Sequence, residues 1–180
     1  MDFIETPVER TMQITEQIST ETACRFLNQF NKIVDLAKKD EKEKVITIQI
    51  CCGGGSVPVA LGFIDLICLA KKEITIQTVG IGHVGSAAVP ILMSGTNRYV
   101  SKNCEIFVHN GRFECRGKMN SAERKSIKKQ LKRIFTTYNN LVVEYSKGKM
   151  SKEEFEKLCA AASYISGQDI INYGFADEIL

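Results

Sequence analysis

The 180-residue chain lacks the marks of several environments. It has no C-x-x-C pair and no paired-histidine spacing, and its cysteines number an odd 7, so neither a zinc site nor a disulfide framework is indicated. Most of these cysteines sit inside apolar patterns, where a free thiol behaves as a small hydrophobe. The start, Met1-Asp2-Phe3-Ile4-Glu5, has neither the basic residues nor the apolar run of a signal peptide. A reducing cytoplasm is the expected setting. Charge of one sign is not in excess: 24 Lys and Arg against 21 Asp and Glu give +3, too mild to imply nucleic acid. Residues 74–97 are uncharged, but four glycines, a proline, a histidine and several hydroxyls make them too polar for a membrane span. With 44% hydrophobic and 25% charged residues, the composition is that of a globular protein and excludes disorder. The length fits one domain, residues 1–180, that buries a core without staples.

Residues 1–9 show no period and read as a short N-terminal arm. Residues 10–15 form a candidate strand, and Ala23, Phe26, Leu27, Phe30, Ile33, Val34 and Ala37 repeat as in an amphipathic helix. Ile46, Ile48 and Ile50 alternate with polar residues as a strand, which Gly53-Gly54-Gly55-Ser56 breaks. A helix is expected over residues 57–70, a strand over 74–79, a glycine-rich turn over 80–85 and a short helix over 86–93. Two strands, 98–100 and 105–109, follow. The remainder reads as mainly helical: about 121–146, 151–161 and a turn near 168–172. This alternation predicts an α/β fold with a largely parallel sheet, whose sites lie where strands end and helices begin.

Gly80-Ile-Gly82-His-Val-Gly85 is a literal G-x-G-x-x-G, a dinucleotide fingerprint when it links a strand to a helix. Two features oppose that reading. The acidic residue about 20 positions on would be Glu105, which begins a strand, and Pro90 sits where the helix wants its first backbone bond. Residues 53–56 have no following lysine and are no P-loop. A second reading starts from the 2 histidines, His83 and His109. Ser86 follows a glycine at a strand-to-helix turn, and His109 closes a later strand, as a serine nucleophile and its base would. Gly54 and Gly55 could supply oxyanion donors. Taken singly, Ser86 as a helix cap, His109 as a strand end and the glycines as tight turns account for the same residues.

Taken together, their order resembles the proteolytic subunit of the Clp protease family, over residues 10–180. Residues 50–57, I-C-C-G-G-G-S-V, are similar to the family's I-N-S-P-G-G-S-V; Gly82-His-Val-Gly-Ser86-Ala87 to its G-x-A-A-S-M; Ile106-Phe-Val-His109-Asn to its I-M-I-H-Q; and Tyr173-Gly-Phe-Ala-Asp177 to its Y-G-L-x-D. The resemblance implies a Clp/crotonase-like fold of repeated βαβ units with a protruding handle helix at about 121–146. It implies Ser86 as nucleophile, His109 as general base, and the backbone N–H groups of Gly54 and Ala87 as the oxyanion hole. It calls for no metal or organic cofactor. The family's triad aspartate, eleven residues before the Tyr-Gly pair, falls on Ala162. Either a neutral acceptor such as Ser163, Asn110 or a backbone carbonyl orients His109, or an acid reaches in from elsewhere, or the chain is a catalytically inactive ring subunit or binding scaffold. Asp177 matches a different, structural aspartate of the family.

The implied activity is serine peptidase action on peptides or unfolded polypeptides inside a homo-oligomeric ring, stacked as a double ring. Only residues 1–9 precede the first strand, shorter than the family's pore-lining segment, which argues against docking of a ring ATPase unfoldase. Arg124, Lys125, Lys128, Lys129, Lys132 and Arg133 carry no interleaved aromatics and read as a solvated helix face, not a nucleic-acid surface. Ile127, Leu131, Ile134, Tyr138, Leu141 and Tyr145 form an a/d seam that packs either on another helix or on its own domain.

Overall fold

The computed structural model describes residues 3–111 and 119–180, so Met1, Asp2 and Cys115 lie outside the described residues. The strands are β1 (Thr11–Ile14), β2 (Val45–Cys52), β3 (Thr75–Gly85), β4 (Asn97–Val100), β5 (Glu105–Val108), β6 (Ser163–Ser166) and β7 (Glu178–Ile179). The helices are α1 (Thr20–Lys39), α2 (Val57–Ala70), α3 (Val89–Met93), α4 (Ser121–Tyr145), α5 (Lys152–Ala160) and α6 (Gln168–Asn172). The parallel path runs β1-β2-β3-β4-β7, while β5 pairs with β3 and, antiparallel, with β6.

Local chemistry accounts for these elements. Reciprocal capping boxes open three helices: Ser19 with Thr22, Asn120 with Glu123, and Ser151 with Glu154. Pro58 stands in the first turn of α2, where a missing N–H costs nothing. Phe26, Phe30, Ile33, Val34 and Ala37 form the buried stripe of α1, and Phe26 stacks on Phe63 of α2 with centroids 3.7 Å apart. Ile46, Ile48, Ile50 and Ile76, each 0% exposed, join that helical layer in the main core.

The N-terminal arm is tied across the sheet. Ile4 exchanges backbone hydrogen bonds with the Gln77 amide (2.9 and 2.7 Å), and Phe3 meets Tyr99 edge-on.

Residues 80–85 are not a turn. They are the second half of β3, an eleven-residue strand. The glycines serve close packing and irregularity instead. A Cβ on Gly80 would lie 3.1 Å from both Cys104 Sγ and Val100 Cγ1, and Gly82 takes φ +65°. The β2–β3 register shifts between Ile50 and Cys52. Glycine in a strand pattern here marks a bulge, not an end. Beyond it β3 exchanges partners, pairing with β4 through Gln77–Gly80 residues and with β5 through His83–Gly85 residues. With no loop over these glycines, the dinucleotide fingerprint has no phosphate-binding turn. Strand β6 falls between the helix expected over 151–161 and the turn expected near 168–172, where the sequence pattern predicts no element: its four residues follow an alanine-rich stretch and gain their order from pairing with β5.

Arg98, 1% exposed, fixes the C-terminal segment. Its Nε donates to Asp177 Oδ2 at 2.9 Å and its Nη1 to the Tyr145 and Gly174 carbonyls, while Lys147 Nζ reaches Asp177 Oδ1 at 2.9 Å. Burial pushes the Asp177 carboxyl up, but hydrogen bonds from Arg98 and Lys147 outweigh it and hold the group well below the usual carboxylate range. A depressed carboxylate contributes its full stability above the unfolded pKa, ~3.9, and loses it as pH falls toward the folded value. Asp177→Asn, which leaves the buried guanidinium without a counter-charge, is therefore expected to cost roughly 3 kcal/mol at pH 7 and to flatten the acid limb of stability. Denaturant unfolding at pH 7 and pH 3 checks this: an equal penalty at both would contradict it.

Candidate active site

The site lies where β3 ends and β5 ends beside it. Ser86 follows directly on β3 and opens a short 3-10 turn, Ser86–Ala88, with φ +51°. A non-glycine residue in that region is uncommon and costs on the order of 1 kcal/mol, a strain that nucleophiles at strand-to-helix turns share. His109 follows β5 and is half-buried. Its Nε2 lies 3.0 Å from Ser86 Oγ. Its Nδ1 lies 2.8 Å from the backbone carbonyl of Asn110. A carbonyl can only accept, so Nδ1 carries the proton and Nε2 is left as the acceptor facing the serine hydroxyl.

The other residues singled out in the sequence fall as follows. Asn110 meets the imidazole with its main chain, not its side-chain amide. Ser163 donates its hydroxyl to the Leu158 carbonyl at 2.9 Å, while the acceptor on His109 Nδ1 is the Asn110 carbonyl. Ala162 takes φ +50°, and its N–H and that of Asn110 both donate to the Cys159 carbonyl. Ala87 is second in the 3-10 turn, where a helical start leaves N–H groups without intrahelical partners. Gly54, at φ +101°, packs so tightly against this turn that a Cβ would lie 2.8 Å from the Ala87 nitrogen. Its N–H, however, donates to Cys52 Sγ at 3.3 Å. The glycine turn is pinned by Ile18, which donates to the Gly54 carbonyl and accepts from the Ser56 N–H.

Two features of the site are not specified by the sequence pattern, an aromatic stack beneath the imidazole and a phenol bonded to the Ser86 carbonyl. Phe107 stacks on His109 (5.1 Å, 20°) and is itself backed by Tyr164 (4.5 Å, 28°), so the imidazole has an aromatic face beneath it. Period-two alternation places Phe107 and His109 on one side, but nothing in the sequence pairs β5 with β6. Tyr138 Oη donates to the Ser86 carbonyl at 2.9 Å. A cleft of about 680 Å³ opens over Ser86 and His109, walled on one side by Leu131, Ile134 and Phe135 of α4.

The family model described as Clp protease matches residues 5–180, nearly the whole chain. The chain belongs to the Clp protease family. Among Clp relatives, an ATP-dependent Clp protease proteolytic subunit of Streptococcus sanguinis (strain SK36) is 27% identical over 142 residues, covering 78% of this chain and 70% of the relative. Subunit 2 of Thermobifida fusca (strain YX) is 24% identical over 174 residues, covering 96% and 81%. The fold is shared with an asparagine-to-aspartate mutant of ClpP1 from Listeria monocytogenes (TM-score 0.80, 24% identity, 96% of this chain and 91% of that one). It is shared too with the ClpP protease catalytic domain of Plasmodium falciparum (TM-score 0.76, 22% identity, 100% and 94%). A Clp fold thus carries the serine and imidazole. Among the described residues no cluster of three or more His, Cys, Asp or Glu could hold a metal, and no helix is long and apolar enough to cross a membrane.

Proposed function

We propose that the chain is a serine peptidase of peptides and unfolded polypeptides, with Ser86 as nucleophile and His109 as base. The observation that carries this reading is the pair of bonds on one imidazole, Nε2 to Ser86 Oγ at 3.0 Å and Nδ1 to the Asn110 carbonyl at 2.8 Å. The neutral carbonyl does the orienting part of the work of the family's aspartate; it leaves out the charge. Ser86 Oγ attacks the peptide carbonyl as His109 Nε2 takes its proton. The tetrahedral oxyanion is held by the Ala87 N–H and by the Gly54 N–H once that group turns from Cys52. Collapse breaks the C–N bond, His109 passes its proton to the leaving amine, and water repeats the cycle to free the acyl group. This sequence draws on no metal or organic cofactor.

A homo-oligomeric double ring in the cytoplasm is the setting we assign. Its support within one chain is α4, where only Tyr138 and Val142 are buried and Ile127, Leu131 and Ile134 remain partly exposed. The relatives are named as ATP-dependent, which makes a ring ATPase the partner class their likeness suggests. Peptide hydrolysis alone needs none.

The Gly54 N–H on Cys52 favours a second reading, an inactive ring subunit whose oxyanion donor is withdrawn. A fluorophosphonate probe separates the two. The assembled wild type is expected to label and hydrolyse a fluorogenic peptide, with both lost in Ser86→Ala. An assembled wild type that never labels refutes the peptidase.

A further inference from the structure

Tyr138 sits where α4 first enters the core; its ring packs near Phe155 and only 7% of the residue is exposed. Its hydroxyl makes a 2.9 Å bond to the Ser86 carbonyl, which also accepts from the Val89 N–H. That carbonyl belongs to the same planar peptide as the Ala87 N–H. In a trans peptide the C=O and N–H bonds point in opposite directions from one rigid plane, so a donor that fixes one end fixes the direction of the other. Hydrogen bonding to the carbonyl also polarises the N–H and strengthens it as a donor. Burial keeps the phenol protonated by pushing its pKa far above the ordinary tyrosine value, so the hydroxyl is a permanent donor.

We propose that Tyr138 is a positioning residue for the oxyanion hole, acting through the Ser86–Ala87 peptide to aim the Ala87 N–H and thereby tying the set of that donor to α4. This rests on the peptidase reading above. It adds a residue outside the nucleophile, base and glycine turn. It also gives the strained Ser86 backbone a second anchor, from a helix whose preceding turns, at Leu131, Ile134 and Phe135, wall the cleft.

The test is Tyr138→Phe, which deletes one oxygen and keeps the ring on Phe155. Complete loss of an oxyanion donor costs about 10²–10³ in kcat, so loosening one is expected to lower kcat about 10- to 100-fold with KM nearly unchanged. Affinity for a peptide boronate, which places an oxygen in the hole, should fall in step with kcat. Phe155→Leu disturbs the packing but leaves the hydroxyl; it is expected to lower the melting temperature while preserving kcat per assembled subunit. A Tyr138→Phe enzyme with wild-type kcat, or one whose loss lies entirely in KM, overturns the proposal. Hydrogen exchange of the Ala87 amide provides a readout independent of turnover. Faster exchange in Tyr138→Phe supports the anchoring even in a chain that proves inactive, which would refute the peptidase reading alone; equal exchange overturns the anchoring.

Discussion

Ala162→Asp is expected to raise peptidase kcat by about 10²- to 10⁴-fold, the upper figure being what a serine protease loses when its triad aspartate becomes an amide. In the wild type the Asn110 carbonyl orients His109 but brings no charge to offset the imidazolium that forms as Ser86 attacks. Position 162 is suited to supply it. Its N–H shares the Cys159 carbonyl with the N–H of Asn110, which holds the start of β6 beside the His109 segment. Its φ of +50° lies in the left-handed region, where aspartate and asparagine are enriched over alanine, so the substitution eases the backbone instead of straining it. The residue is exposed, so a carboxylate there stays solvated and carries little folding penalty. Steady-state kinetics on wild type, Ala162→Asp and Ala162→Asn check the idea. Asparagine has the shape without the charge and should fall far short of aspartate. Equal rates for the two would show that no carboxylate at 162 reaches the imidazole, and the neutral carbonyl would then be the complete orienting group.

Much of the scaffold was written in periodicity. The stripe of α1, apart from the exposed Leu27, the alternation of β2 and the bounds of α2, 57–70, match the pattern because each is set by local features: a capping box on α1, apolar residues at period two in β2, and a proline in the first turn of α2. What failed depended on partners distant in sequence. Gly80, Gly82 and Gly85 have the composition of a turn, yet β3 continues because β4 and β5 take up its backbone bonds in succession, with side chains crowding Gly80 to within 3.1 Å of an ideal Cβ. Strand β6 exists because β5 offers it an edge, a relation invisible in residues 159–166. The same limit governs the site. Ser86 and His109 could be singled out because a serine at a strand-to-helix turn and a scarce imidazole at a strand end are local signals, and the family resemblance orders them. The acceptor on Nδ1 is a main-chain carbonyl, a group every residue has, so no side-chain pattern could choose it over the hydroxyl of Ser163. The phenol of Tyr138 had a sufficient explanation as one position of an apolar seam, and only its 2.9 Å bond to the Ser86 carbonyl gives it another.

Gly54→Ala is expected to abolish measurable peptidase activity, a loss of at least about 10²-fold, because the added methyl has no place to go. An ideal Cβ at Gly54 would lie 2.6 Å from the Gly85 carbonyl oxygen, 2.8 Å from the Ala87 nitrogen and 2.8 Å from Ser86 Cβ. Two of these are main-chain atoms and the third roots the nucleophile, so none can swing aside as a flexible side chain would. The φ of +101° adds a conformation that alanine resists, on the order of 1–3 kcal/mol. The loop cannot relax outward either, since Ile18 holds it through the Gly54 carbonyl and the Ser56 N–H. The strain must therefore pass into the Ser86 turn, displacing Oγ from His109 and the Ala87 N–H from the oxyanion it is proposed to bind. Gly62→Ala is the control: it lies inside α2 with nothing within 4 Å of its ideal Cβ, and it should gain about 0.5–1 kcal/mol in stability with activity unchanged. Thermal unfolding and turnover measured on both variants distinguish the outcomes. A Gly54→Ala enzyme with wild-type turnover would mean that the glycine turn stands apart from the chemistry, and the oxyanion site would then have to be built from the Ala87 side alone.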